Sequence, residues 1–278
     1  MLLGLRIHDA APGTLLERLA ALHEQGFACG HLALSKACPD IPFTPEALTP
    51  GLAMHLRHLF EATHMDAAVL GCYLNIATPD PAEWARTLRL YEAHLRLAPL
   101  MGCGVVGTET GAPNVGYRPE PACRTEEALE LLVGRLRQIV RIAESCGALL
   151  AIEPVCRHIV YDARRARRVL DEIASPNLRI ILDPVNLIPD EDWQRADEIV
   201  EEALELLGDT TDVLHLKDFI VQDGRLSFVA PGLGLMDYRP LLRYIKAHKP
   251  MIHATLEDTR PDNAVAARAY LERLYREL

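Results

Sequence analysis

The 278-residue chain lacks any segment typical of a linker, a membrane span or a secretory leader. No Gly/Ser/Pro-rich stretch, low-complexity tract or long run of like charges interrupts it, which favours one domain over residues 1–278 rather than two small ones. Nowhere do roughly 18 uncharged apolar residues run together, and the N-terminus has no basic lead before a long apolar stretch. We therefore expect a cytoplasmic protein that makes no use of a membrane.

Paired cysteines are also missing. The seven cysteines form an odd set without a CxxC pair, which argues against a disulfide framework and against a zinc ribbon. We expect reduced and mostly buried thiols.

Basic residues are fewer than acidic ones, 29 against 39, so the formal net charge is -10. This balance disfavours duplex DNA or any other partner held through a field of phosphates, although it leaves a small phosphorylated substrate open. The single basic cluster, Arg164, Arg165, Arg167 and Arg168, is threaded by apolar residues at helical spacing and is interpreted as a solvated helix face.

Hydrophobic residues make up 49% of the chain, enough for a sizeable core. Strand-like and helix-like segments alternate in units of about 35 residues, the size of a βα unit with its loops. This rhythm predicts a parallel sheet, and about eight units predict closure into an α/β fold, the (β/α)8 TIM barrel. A doubly wound open sheet is the alternative. The predicted strands are 3–8, 29–34, 67–74, 103–108, 148–153, 178–183, 211–217 and 251–257.

Four polar residues stand at the ends of predicted strands: Glu153, Asp183, His215 and Glu257. The carboxyl ends of barrel strands open onto one face, where this fold places its chemistry. Three carboxylates and one imidazole make a plausible divalent-metal site. A single strand-end glutamate is more often solvated or ion-paired, so the prediction depends on the set of four rather than on any one member.

Short motifs accompany these strand ends in a fixed order. They are EP (153–154), DPVN (183–186), HLKD (215–218), PGLGLMDY (231–238) and TLED (255–258). The order resembles the xylose isomerase-like TIM barrels, which are sugar and sugar-phosphate isomerases and epimerases related to D-tagatose 3-epimerase and hydroxypyruvate isomerase. The first half of the chain agrees only in its βα rhythm.

The resemblance implies one divalent cation held by Glu153, Asp183, His215 and Glu257. Manganese is favoured, with magnesium, cobalt or zinc as the other candidates, because carboxylates suit hard cations and one imidazole broadens the choice. It also implies that Glu153 and Glu257 act as acid and base on a carbohydrate or small keto-acid substrate through an enediolate. A metal-assisted hydride shift with two metals is the alternative. A homo-oligomer is left open.

Five further residues are candidates for substrate binding: Lys217, Glu109, Arg157, Asn186 and His8. Lys217 shares a strand face with His215 and could contact either the substrate or a carboxylate at the mouth. Asn186 stands where relatives usually carry histidine, and Arg157 stands where they carry polar sugar contacts. Because a guanidinium suits a carboxylate or phosphate better than a neutral ketose, the substrate is left open.

Two other classes of protein remain as alternatives. An endonuclease IV-like phosphodiesterase shares this barrel but needs three zinc ions and several additional histidines, and the acidic balance counts against it. A catalytically silent sugar-binding barrel is compatible with the fold alone. The number of metal ions per chain separates the three classes.

Overall fold

The computed structural model describes residues 1–278, and its regular elements alternate along the chain. In chain order they are β1 (Leu2–Arg6), α1 (Leu15–Glu24), β2 (Cys29–Leu32), α2 (Leu34–Ala37), α3 (Pro50–Ala62), β3 (Asp66–Gly71), α4 (Pro81–Leu100), β4 (Val105–Glu109), α5 (Glu126–Cys146), β5 (Leu149–Glu153), α6 (Ala163–Ile173), β6 (Leu178–Leu182), α7 (Ala196–Leu207), β7 (Thr211–Leu216), β8 (Asp218–Gln222), β9 (Arg225–Val229), α8 (Arg239–His248), β10 (His253–Leu256) and α9 (Ala264–Glu277). Short 3-10 helices cover Ile7–Asp9, Pro45–Ala47, Pro121–Arg124, Val185–Leu187 and Asp190–Arg195.

Eight parallel strands close into a barrel in the order β1-β10-β7-β6-β5-β4-β3-β2. The predicted (β/α)8 barrel is therefore confirmed, and the open-sheet alternative is wrong. Each predicted strand is present with its ends shifted by a few residues. Because all eight strands run the same way, their carboxyl ends meet at one mouth.

The helices begin and end at residues whose side chains or backbone suit a terminus. Thr14 and Glu17 form a reciprocal capping box before α1, and Asp80 accepts hydrogen bonds from two backbone N–H groups at the start of α4. Gly147 ends α5 with a φ of 66°, a left-handed conformation that glycine adopts at little cost.

The core has two layers. Inside the barrel, Val69, Ala151, Ile181 and Val213 pack against one another, while residues on the opposite strand faces, such as Leu150, join the larger core beneath the helices. A Cβ at Gly107 would lie 2.6 Å from Val69 Cγ1 and 2.7 Å from Ile181 Cδ1, so this interior accepts no side chain there. Side chains along β5 thus alternate between the barrel interior, where Ala151 lies, and the layer beneath the helices, where Leu150 lies.

An antiparallel hairpin, β8–β9, follows the seventh barrel strand and was not predicted. Its turn is Asp223–Gly224, whose φ values of 50° and 74° match the mirror-image turn that suits a two-residue hairpin loop. The hairpin brings Phe228 to the barrel mouth, where this ring lines the cavity described below.

Three smaller expectations concern the surface and the cysteines. All seven cysteines are free, and all except Cys146 and Cys156 are buried. The arginines of α6 pair with neighbouring carboxylates, and Arg165 is largely buried rather than solvated, because it bonds Glu126 and the backbone oxygen of Thr125. None of the helices has both the length and the apolar character that crossing a bilayer requires.

Candidate metal centre at the barrel mouth

The four strand-end residues converge at the mouth of the barrel. Glu153 ends β5, Asp183 follows β6, His215 lies in β7 and Glu257 follows β10, and all four are buried. His215 Nδ1 lies 3.2 Å from Glu153 Oε2 and 3.2 Å from Glu257 Oε1. Ligand atoms of Glu153, Asp183 and His215 all lie within 4.8 Å of one another. The structure thus brings the predicted ligands into one buried cluster.

The cluster fits a divalent cation. Neither ring nitrogen of His215 forms a hydrogen bond of good geometry, although the ring is fully buried. Buried polar groups are normally satisfied, and three carboxylates with one imidazole form a donor set for hard or borderline cations. Glu153, Asp183, His215 and Glu257 are therefore the residues that would hold such an ion.

The charges of this cluster alter the acid–base properties of its members. Burial alone would lower the pKa of His215, but the carboxylates of Glu153 and Glu257 outweigh it and raise the pKa to about 9. Burial raises the pKa of Asp183 to about 6, and the ammonium of Lys217 opposes part of that rise. The carboxylates around His215 therefore favour the protonated form of its imidazole.

Lys217 lies between two of the carboxylates. Its Nζ is 2.9 Å from Asp183 Oδ2 and 3.3 Å from Glu257 Oε2, and the side chain is almost fully buried. Burial would lower the pKa of Lys217, but the carboxylates of Asp183 and Glu257 outweigh it and raise this pKa. Of the two roles left open for Lys217, the ion pair is observed, and a contact with substrate stays a prediction.

Arg6 was missed by sequence reasoning. Its guanidinium lies 3.5 Å from Glu257 Oε2 and is anchored by Asp9 at 2.7 Å. Burial would raise the pKa of Glu257, but the positive charges of His215, Lys217 and Arg6 outweigh it and lower the pKa. No local motif signals this pair, because its members lie at opposite ends of the chain and meet only when β1 closes on β10.

The DPVN segment positions Asn186 against Glu153. Asp183 Oδ1 accepts the backbone N–H groups of Val185 and Asn186, at 2.9 and 3.2 Å, and so fixes the turn after β6. Asn186 Nδ2 then donates to Glu153 Oε1 at 2.6 Å. One carboxylate oxygen of Glu153 is held by an amide while the other faces His215.

Asp218 organises the loop that contains the PGLGLMDY motif. Its two carboxylate oxygens accept backbone N–H groups of Phe219, Gly232, Gly234 and Met236 at 2.8 to 3.1 Å. A Cβ at Gly234 would lie 2.3 Å from Asp218 Oδ1, which explains the glycine. The loop is thereby held next to Lys217, whose backbone oxygen accepts the hydroxyl of Tyr238.

A cavity of about 570 Å³ opens over the cluster. All five residues predicted to bind substrate line it: His8, Glu109, Arg157, Asn186 and Lys217. Glu109 Oε2 accepts the Tyr117 hydroxyl at 2.8 Å, and burial together with Glu153 raises the pKa of Glu109 to about 7. Their roles toward a substrate stay predictions.

Other lining residues were weakly signalled or unsignalled by the sequence. His31 lies on the second strand, and its ring stacks on that of His215 at 5.1 Å between centroids. His158 lies 3.7 Å from Glu109 Oε2. Phe228 comes from the unpredicted hairpin, and its ring centroid is 4.9 Å from Lys217 Nζ.

Comparison with known proteins assigns the family. The family described as the xylose isomerase-like TIM barrel matches residues 19–275. The chain belongs to this family. No curated protein matches the chain in sequence.

Solved structures of the xylose isomerase-like fold superpose over nearly the whole chain. A D-tagatose 3-epimerase-like protein has a TM-score of 0.78 at 18% identity, covering 100% of this chain and 97% of that one. An IOLI protein with a bound zinc atom has a TM-score of 0.77 at 17% identity, with 100% and 99% covered. Endonuclease IV from Thermus thermophilus has a TM-score of 0.73 at 16% identity, also with 100% and 99% covered. Identities this low show a shared fold alone, so the reaction has to be inferred from the residues of the site.

Proposed function

We propose that this member of the family is a divalent-metal-dependent isomerase or epimerase, active as one domain over residues 1–278. Its substrate would be a sugar, a sugar phosphate or a small keto or hydroxy acid, converted through an enediolate. The observation that carries this proposal is the pair Glu153 and Glu257, each 3.2 Å from the same imidazole nitrogen of His215. Two carboxylates beside one metal-ligand set suit removal of a proton from carbon and its return.

Residues of the chain act in this reaction as acid, as base and as groups that orient the substrate. Glu153 removes or returns a proton at carbon, with its Oε1 oriented by Asn186. Glu257 acts as its counterpart, held by Lys217 and Arg6. The cavity walls orient the substrate through Lys217, Glu109, Arg157, Asn186 and His8, and orientation of this kind lowers the entropic part of the barrier.

A bound divalent cation would supply positive charge that stabilises negative charge developing on the substrate oxygens. Manganese is our preferred ion, with magnesium, cobalt and zinc as alternatives, because the donor set mixes carboxylates with imidazole.

The ligand geometry supports an isomerase over the two-metal and three-metal alternatives. The two groups of potential ligands, one with Glu153 and Asp183 and the other with His31 and Glu257, share His215, and no further group of three potential ligands is found elsewhere in the structure. A hydride shift with two metals, or an endonuclease IV-like reaction with three zinc ions, would need further ligand residues for each additional ion. The net charge of -10 also disfavours a polyanionic substrate such as DNA.

A substrate screen in deuterated water tests the proposal. Ketoses, sugar phosphates and small 2-keto acids are incubated with the Mn²⁺-loaded protein, and deuterium incorporation is read by mass spectrometry. We expect Glu153→Gln and Glu257→Gln each to slow exchange by about 10²–10⁴-fold, the usual contribution of a general acid or base. Glu201→Gln, on the exposed surface of α7, is the matched control. If either active-site variant keeps full exchange activity, the two-glutamate mechanism is wrong.

A further inference from the structure

His31 is a buried imidazole without a partner. It lies on β2 with only 1% of its surface exposed, and neither of its ring nitrogens forms a hydrogen bond with any protein atom. Leaving a buried polar group without a hydrogen-bond partner costs free energy, so we expect such a side chain to bind an ion or another polar group. Histidine is the commonest nitrogen ligand of metals.

The position of His31 next to the metal-ligand cluster indicates that its binding partner is a cation. Ligand atoms of His31, His215 and Glu257 all lie within 4.8 Å of one another. The His31 ring also stacks on His215 at an interplanar angle of 19°. Both imidazoles therefore stand at the same edge of the centre, beside the carboxylate of Glu257.

The neighbouring strand leaves room for this ring. A Cβ at Gly71, on β3, would lie 2.7 Å from His31 Nε2. The absence of a side chain there lets the imidazole sit beside the inner wall of the barrel. His31 also lines the cavity that opens at the mouth of the barrel.

We propose that His31 is a further ligand of the cation, so that the centre offers two imidazoles and three carboxylates. The inference rests on the metal centre of the proposed function and adds a ligand to it. Nitrogen ligands favour zinc, cobalt and other borderline cations over magnesium, which prefers an all-oxygen shell. His31 thereby shifts the selectivity of the site away from magnesium.

Cation affinities of three proteins test this ligand. The wild type, His31→Phe and His158→Phe are stripped with chelator, and binding of Zn²⁺, Co²⁺ and Mg²⁺ is measured by calorimetry or by competition with a chromogenic chelator. Phenylalanine keeps a ring that can stack on His215 and removes only the nitrogens. His158 is the matched control, because it lines the same cavity but belongs to neither ligand group.

We expect His31→Phe to weaken Zn²⁺ and Co²⁺ binding at least about tenfold, as loss of metal-site partners does. Mg²⁺ binding should change less, and the visible absorption of bound Co²⁺ should change because its ligand set changes. His158→Phe should bind Zn²⁺ as the wild type does. His31→Gln replaces His31→Phe in the same measurement if the phenylalanine does not fold.

Four results would overturn the inference. If the His31 variant binds Zn²⁺ as tightly as the wild type, or loses affinity for all three cations alike, His31 is not a ligand and the metal centre itself stands. If His158→Phe shows the same loss, the effect belongs to the cavity rather than to His31. If the wild type binds no cation at all, the proposed function fails together with the inference.

Discussion

Replacing Lys217 with methionine removes the ammonium that lies between two buried carboxylates. Methionine keeps most of the stem volume, so the main change is electrostatic. Asp183 and Glu257 would lose the cation at 2.9 and 3.3 Å while Glu153 adds a third negative charge nearby. Breaking a buried ion pair by removing one partner costs about 3–5 kcal/mol, because the remaining charge is left uncompensated.

The assay is chemical and thermal denaturation in the presence of chelator. We expect the free energy of unfolding of Lys217→Met to fall by about 3–5 kcal/mol, with a drop in Tm on the order of 10 °C for a chain of this size. A saturating divalent cation should shrink this difference, because it supplies positive charge to the same carboxylates.

A matched lysine provides the control. Lys36 lines the same cavity but is exposed and forms no ion pair, so Lys36→Met should change stability by no more than about 0.5 kcal/mol. If Lys217→Met is as stable as the wild type in chelator, the carboxylates do not depend on this ammonium and the electrostatic reasoning is refuted.

Three further predictions concern the pH dependence of metal binding, the amide beside Glu153 and the loop held by Asp218. The folded-state pKa of His215, about 9, lies above its ordinary value of 6.5. Protonation of His215 therefore stabilises the protein without a cation fully below pH 6.5, and this stabilisation is lost as the pH rises through 9. Cation binding should therefore release about one proton near neutral pH and tighten as pH rises; calorimetry in buffers of different ionisation enthalpy checks this, and no release would contradict it. Asn186→Asp replaces the amide that donates to Glu153 with a carboxylate and should slow deuterium exchange about 10–100-fold, whereas an unchanged rate would show that the amide is dispensable. Asp218→Asn replaces one of the two acceptor oxygens with an amide nitrogen that cannot accept, so two of the four backbone N–H groups bound by Asp218 lose their acceptor. The change should cost about 1–3 kcal/mol in urea denaturation; the same change at exposed Asp262 should cost far less, and equal effects would argue against the loop role.

Sequence reasoning succeeded where one local pattern determines one structural feature. The barrel strands are short aliphatic runs between amphipathic helices. Such runs indicate strands of a parallel barrel, because these strands are buried on both faces and are therefore apolar along their whole length. Glu153 and Asp183 could be placed at the mouth for the same reason, since each directly ends such a run.

The hairpin carried a signal that was overlooked. The Asp223–Gly224 pair stands between two short runs rich in aromatic and aliphatic residues, and an Asp-Gly pair in that position indicates a hairpin turn. Without it, Phe228 could not be assigned to the cavity.

The remaining site features depend on contacts between distant parts of the chain. Arg6 reaches Glu257 only because the first and last strands pair, and His31 meets His215 across the barrel interior. The position of Asn186 beside Glu153 depends on the turn formed by Asp183 after β6. None of these arrangements follows from residue type and spacing alone, because each is set by how the barrel closes.

Metal content per chain tests the central claim most directly. The stripped protein is reloaded with Mn²⁺ or Zn²⁺, passed through a desalting column and analysed by mass spectrometry for bound metal, alongside Asp183→Ala. We expect one ion per chain in the wild type and a loss of that ion in the variant, because Asp183 is one of the four clustered ligands. No ion, three ions, or an unchanged single ion in Asp183→Ala would contradict it.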